Sequence, residues 1–232
     1  MFKKSLHALA IVPLTLGSLL GPANFQSITA PSPTEHLVAQ KEMSLDNRYG
    51  NAFVNNVFKG NILLNLAYLS NKVNSSKDIK WDEIGKPFQY EFKLDPDKTF
   101  AFHSDIEDKY KDKLVKTTNA HFNSQEGFKT DGYLFGDGVC HLASLINWVA
   151  KEAGLSVEAP TNHDFANIPD VPKEYGVSIY SNPFSKGSNT RQNLYITNNK
   201  PKPIAFRFEY KQSLRPDGLK DDKLKVSVVE LN

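Results

Sequence analysis

The chain has 232 residues, 40% hydrophobic and 23% charged, which excludes a wholly disordered polymer and suits one globular domain. Its 28 Lys+Arg nearly balance 26 Asp+Glu, and no basic stripe with interleaved aromatics marks a nucleic-acid partner. A single cysteine, Cys140, excludes an internal disulfide and leaves a thiol that is buried, reactive, or paired with another molecule.

The N-terminus carries a positive pair, Lys3 and Lys4, then an apolar stretch from Leu6 to Leu20, then Gly21-Pro22 and small residues at Ala23 and Ala30. This is the pattern of a secretory signal peptide, assigned to residues 1–30. The competing reading is an uncleaved anchor, for which the run is short and interrupted by His7 and Pro13. No second stretch approaches spanning length, so an exported protein is expected, with no stable membrane span once the leader is gone. The Ser, Pro, Thr, Gln and Glu of the next stretch, from about Asn24 to Asn47, read as a tether. A flexible linker is therefore assigned to residues 31–50, and the folded domain to 51–232.

From Phe53 apolar residues recur at steps of three and four through Val73, predicting one or two helices to about Lys72 despite Gly60-Asn61. Phe88 to Leu94 alternates apolar and polar, predicting a strand, and Phe100 with Phe102 predicts a second short one. Asp105 to Lys116 mixes charges of both signs and reads as a solvated surface helix. A Gly-rich approach, Asp131 to Gly138, leads into a helix from Cys140 to Ala153, with Asp137 as candidate N-cap. Short strands are expected at Val157 and Val177–Tyr180, and longer ones at Asn193–Thr197, Ile204–Tyr210 and Leu224–Leu231. The expected class is α+β: a central helix carrying Cys140 at its N-terminus, packed on a mostly antiparallel sheet, with a β-rich C-terminus.

Chemistry converges on Cys140. A helix N-terminus presents unpaired N–H groups and partial positive charge, which favour a thiolate and suit an oxyanion. His163 is the candidate base, with Asn162, Asp164 or Asp170 available to orient it. Gly136, Asp137 and Gly138 would admit substrate to the backbone, and Tyr133 and Phe135 read as packing residues or, if exposed, as contacts for a sugar ring. The bland alternative makes Cys140 a small core residue, His163 a loop histidine with a local hydrogen bond, and Asp137 a cap. His141 neighbours Cys140 in sequence, but a step of about 100° on a helix turns it away from the thiol. No His/Cys/Asp spacing resembles a metal site, and no cofactor is expected.

The run Gly136-Asp137-Gly138-Val139-Cys140, followed by a helix ending Ala153-Gly154-Leu155, resembles the central signature of the VanW-like family. The resemblance runs from about Phe88 to Leu231, through Phe100-Ala101-Phe102, Gly132-Tyr133, Val157, His163, Val171-Pro172, Val177–Ile179, Asn193 to Asn199 and Pro203-Ile204. The family usually has glutamine where this chain has His141, and often aspartate where it has Gly176, which leaves Asp170 as a substitute carboxylate beside His163. The resemblance implies a cell-envelope location and an association with peptidoglycan and glycopeptide resistance, but no defined reaction.

Two functions follow as expectations. One is a cysteine-dependent acyl transferase or amide hydrolase acting on peptidoglycan peptide or a surface polypeptide, with Cys140 as nucleophile, His163 as base and acid, and Asp170 as orienting group. The other is a non-catalytic module that binds cell-wall polymer or a surface partner, with Cys140 packed inside. A passive structural protein is a third. Oligomeric state is not legible.

Overall fold

Helix α1, Ala52–Leu69, begins where the Asn51 side chain accepts the amides of Phe53 and Val54, the usual N-cap device. From Val57 onward it is almost entirely buried, as a helix apolar around most of its circumference must be. Gly60 and Asn61 do not break it. Gly60 lies close beneath the Trp81 ring, and Asn61 binds the Lys129 backbone on both sides and the Asp137 carbonyl. The computed structural model describes residues 35–182, 184 and 186–232, all within one compact unit. The expected leader at 1–30 lies outside the described residues.

The larger sheet is antiparallel throughout, in the order β1 (Glu35–Ser44), β8 (Lys223–Leu231), β7 (Ile204–Lys211), β2 (Phe88–Leu94). Alternation carries Phe92 and Leu94, Ile204, Phe206 and Phe208, and Leu224, Val226 and Val228 into the core. Phe92 and Phe206 are directly opposed across the β2–β7 pair, their rings stacked at 5.2 Å. The second sheet has short strands in the order β4 (Leu114–Lys116), β3 (Thr99–Ala101), β6 (Tyr195–Thr197), β5 (Ser156–Glu158), with β3 and β4 parallel and the other pairs antiparallel. Helix α3, Val139–Glu152, packs against α1, β1, β8 and β5, and its apolar side is fully buried. Minor helices α2 (Trp81–Ile84) and α4 (Lys186–Asn189) lie in connecting segments. The class is α+β, with the helix that carries Cys140 against a mostly antiparallel framework.

Several expectations need correction. The assigned linker, residues 31–50, contains β1, an edge strand in register with β8 along Glu35–Ser44. Its composition is polar because only one edge and part of one face are covered, by Val38, Ala39 and Met43 against the core, and a register shift between Leu37 and Ala39 obscures the alternation. Asp105–Lys116 forms no helix of any length. A 3₁₀ turn at Asp108–Tyr110 leads into β4, held by Lys109 and Tyr110 bonding to Glu158. Val177–Tyr180 is not a strand of either sheet; it makes an isolated bridge from Val177 to Asn162, bonds Thr161 and Gln192 through the amides of Ser178 and Tyr180, and docks Val177 and Ile179 on α3.

Candidate functional site

Helix α3 starts at Gly138, whose φ of 96° is the left-handed conformation that glycine tolerates, so Gly138 and not Asp137 is the N-cap. A Cβ at Gly138 would lie 2.8 Å from the Phe58 carbonyl oxygen, and one at Gly136 would lie 2.9 Å from the Phe122 Cβ. Both glycines therefore serve close packing of the loop against α1 and Phe122. They do not open the backbone to a substrate, as the sequence suggested. Asp137 turns its carboxylate back to the Asp131 amide at 2.9 Å, and burial pushes its pKa up to about 6.

Cys140 lies in the first turn of α3 and is half-buried. Its sulfur accepts the Ile179 amide at 3.4 Å and donates to the Ile179 carbonyl at 3.6 Å. One turn on, the Ser144 hydroxyl accepts the Val177 amide at 2.9 Å and donates to the Cys140 carbonyl at 2.7 Å. At the next turn Asn147 donates to the Tyr175 carbonyl at 2.8 Å. The stripe Cys140, Ser144, Asn147 thus takes up the α3-facing backbone groups of Tyr175, Val177 and Ile179, in a segment that belongs to neither sheet. Burial pushes the thiol up to about 11, the reverse of the activation expected from the helix terminus.

His163 is buried at 6% exposure, and its Nδ1 faces the Ala166 carbonyl at 3.1 Å. Because a carbonyl can only accept, Nδ1 carries the proton. Burial lowers its pKa. Among the described residues no hydrogen bond joins His163 to Cys140, so the expected thiol–imidazole pair is not assembled. Asp170 does not orient His163 either. Its carboxylate pairs with Arg48 at 2.5 Å and accepts the Ser44 amide at 3.0 Å, tying the 163–170 loop to the end of β1. Arg48 is 1% exposed and also donates to the Pro169 carbonyl at 3.0 Å, while its Nε has no hydrogen-bond partner among the described residues.

The residue that sequence reasoning set aside is His141. It faces away from the Cys140 stripe, is 3% exposed, and its Nδ1 has no hydrogen-bond partner among the described residues. Burial, reinforced by Arg48, lowers its pKa to about 3. Its ring lies 4.9 Å from Phe58 and 6.3 Å from His163. Tyr49 extends this track of rings on one side, 5.0 Å from Phe58, and Phe165 on the other, 4.0 Å from His163. Both ends reach solvent, Tyr49 at 44% exposure and Phe165 at 78%. Burial, and after it the carboxylates of Asp131 and Asp137, raises the pKa of the Tyr49 phenol; Thr130 and Phe135 bridge to close a hairpin. At that hairpin Tyr133, Leu134 and Phe135 are all exposed, Tyr133 at 92%.

A cavity of about 230 Å³ adjoins His163, bounded by Ala166, Ile168, Val171 and Gly176. That is below the range of about 300–1,000 Å³ usual for small-molecule sites. Among the described residues no three His, Cys, Asp or Glu side chains come together as a metal site requires. No helix among them is long and apolar enough to cross a membrane. No family model, curated protein or solved structure matches the chain.

Proposed function

We propose that this chain is an exported cell-envelope protein of the VanW-like type that binds cell-wall polymer without catalysing its turnover. The observation that carries the reading is Cys140 itself. Its sulfur is engaged by both backbone groups of Ile179, its pKa is raised, and His163, the candidate base, is committed to Ala166. A nucleophile needs the opposite, a lowered pKa and a base within hydrogen-bond reach. The Gly-x-Gly-Val-Cys signature on which the resemblance rests has a structural reason in this chain. Gly138 lets α3 approach α1, and Cys140 docks the following segment.

Binding capacity resides in the exposed rings of Tyr133, Phe135, Tyr49 and Phe165. Aromatic faces stack on the apolar faces of sugar rings and on peptide side chains, and exposed apolar clusters on a folded surface mark interaction sites. The enzyme reading draws on one observation, the partial exposure of Cys140 in the first turn of α3. It requires His163 to leave Ala166 and approach the thiol.

The test is co-sedimentation of the purified protein with insoluble peptidoglycan. The wild type is expected in the pellet, and Tyr133→Ser with Phe135→Ser should weaken binding about tenfold, at about 0.5–1.5 kcal/mol per aromatic contact. No sedimentation at any wall load, or equal sedimentation of the variant, contradicts the proposal.

A further inference from the structure

At the other end of α1, about 12 Å beyond Phe58 at 1.5 Å per residue, lies a second and larger cleft. It occupies about 560 Å³ between the end of α1, the 70–80 loop, α2 and the start of β2. Such a volume falls within the range of about 300–1,000 Å³ that small-molecule sites occupy. Leu63, Leu66 and Val73 back its base almost fully buried, and the accessible apolar wall is the half-buried Phe88 ring with the edge of Ile84.

Its rim is charged, and unevenly. The two carboxylates there are already engaged. Asp78 accepts the amides of Asn74 and Ser75 at 3.0 and 2.9 Å and the Ser75 hydroxyl, and Glu83 pairs with Lys86 at 2.7 Å. Lys72, Lys77 and Lys80 are exposed on the same rim and form no ion pair among the described residues. Lys72 lies over the Phe88 ring at 5.1 Å, which joins the cationic rim to the apolar wall. The α1 carbonyls that would oppose an anion are occupied internally, by the amides of Ser70, Asn71, Lys72 and Val73 and by the Tyr90 hydroxyl. The lining contains no arginine, so nothing offers the planar fork that grips phosphate; three ammonium groups act as point charges suited to a carboxylate.

We propose that this cleft binds a single-chain fatty carboxylate, its hydrocarbon along the Phe88 ring and the edge of Ile84 and its carboxylate among Lys72, Lys77 and Lys80. The site is independent of the wall-binding surface and does not rest on it. The test is titration calorimetry of the full-length protein with decanoate below its micellar concentration. Decylammonium serves as the charge-reversed control and Lys77→Ala/Lys80→Ala as the variant. Both lysines are exposed, and an unchanged melting temperature verifies that the variant folds. Saturable decanoate binding is expected, weakened about fivefold in the variant as befits two partly exposed ion pairs. Decylammonium should not bind. Absence of saturable decanoate binding, equal binding by the variant, or equal binding of decylammonium overturns the proposal.

Discussion

At Cys140 two effects oppose each other, and their magnitudes decide the outcome. A helix N-terminus stabilises a thiolate by about 0.3–1 kcal/mol in ordinary geometry. Raising a thiol from near 9 to about 11 corresponds to about 3 kcal/mol in favour of the protonated form, so burial prevails. Gly138 is as closely determined. Gly138→Ala would combine the left-handed penalty with a backbone clash at Phe58, and a loss of about 3 kcal/mol is expected in urea unfolding. Removing the Asp170 carboxylate with Asp170→Ala strands the buried Arg48 guanidinium. We expect a loss of about 2–3 kcal/mol, with no effect on the chemistry of His163. The sequence located Cys140, His163 and Asp170 but not their partners, because hydrogen bonds to Ile179, Ala166 and Ser44 depend on tertiary placement. A signal was nonetheless available: Cys140, Ser144 and Asn147, at steps of four and three, form a polar stripe on a helix whose other positions are largely apolar.

Among the elements, β2, β7, β8 and α3 were legible because each has a period of two or 3.6 over seven residues or more, and α1 because its apolar run is too long for a strand. What failed was short, polar or at an edge. The segment Glu35–Ser44 has only Leu37, Val38 and Met43 as large apolar residues, at no regular spacing, yet its pairing with β8, the Arg207 bond to Glu35 at 2.7 Å and the Lys41 pair with Glu152 at 2.8 Å make it part of the sheet. A chain lacking residues 1–44 is therefore expected to lose cooperative thermal unfolding. A true tether would be removed with no change in melting temperature. The Val177–Tyr180 segment misled in the opposite way. Its apolar alternation is real, but its apolar positions dock on an α3 side-chain stripe, and its backbone pairs with the 161–163 loop and Gln192 rather than with a strand of either sheet.

For the folded domain as a unit, acid is the predicted weakness. Burial holds His103, His141 and His163 below the ordinary histidine value. On acidification below about 6.5, the unfolded chain binds protons that the folded chain refuses, and stability falls. Asp137 acts against this. Its folded value of about 6 exceeds the ordinary 3.8, so its contribution is present at low pH and is lost as pH rises through 6. Three histidines outweigh one carboxylate. Glu158, Glu209 and Asp222, all held low in the folded state, add to the acid loss below about 4.5. His141→Gln should flatten the slope of stability against pH between about 6 and 4 by one proton, about 1.4 kcal/mol per pH unit. Parallel curves for wild type and variant in urea titrations would show that His141 does not carry this share.

The packing of Cys140 underlies both the fold around α3 and the non-catalytic reading, and its reactivity in the native protein tests them together. The measurement is the rate of alkylation by iodoacetamide from pH 6 to 11, in wild type and His163→Ala, with and without denaturant. The thiol docked on Ile179 should label slowly at neutral pH, gain rate only toward pH 11, respond little to His163→Ala, and react fully once unfolded. Rapid labelling of the native protein at pH 7, lost in His163→Ala, would establish a thiolate–imidazole pair and contradict the account.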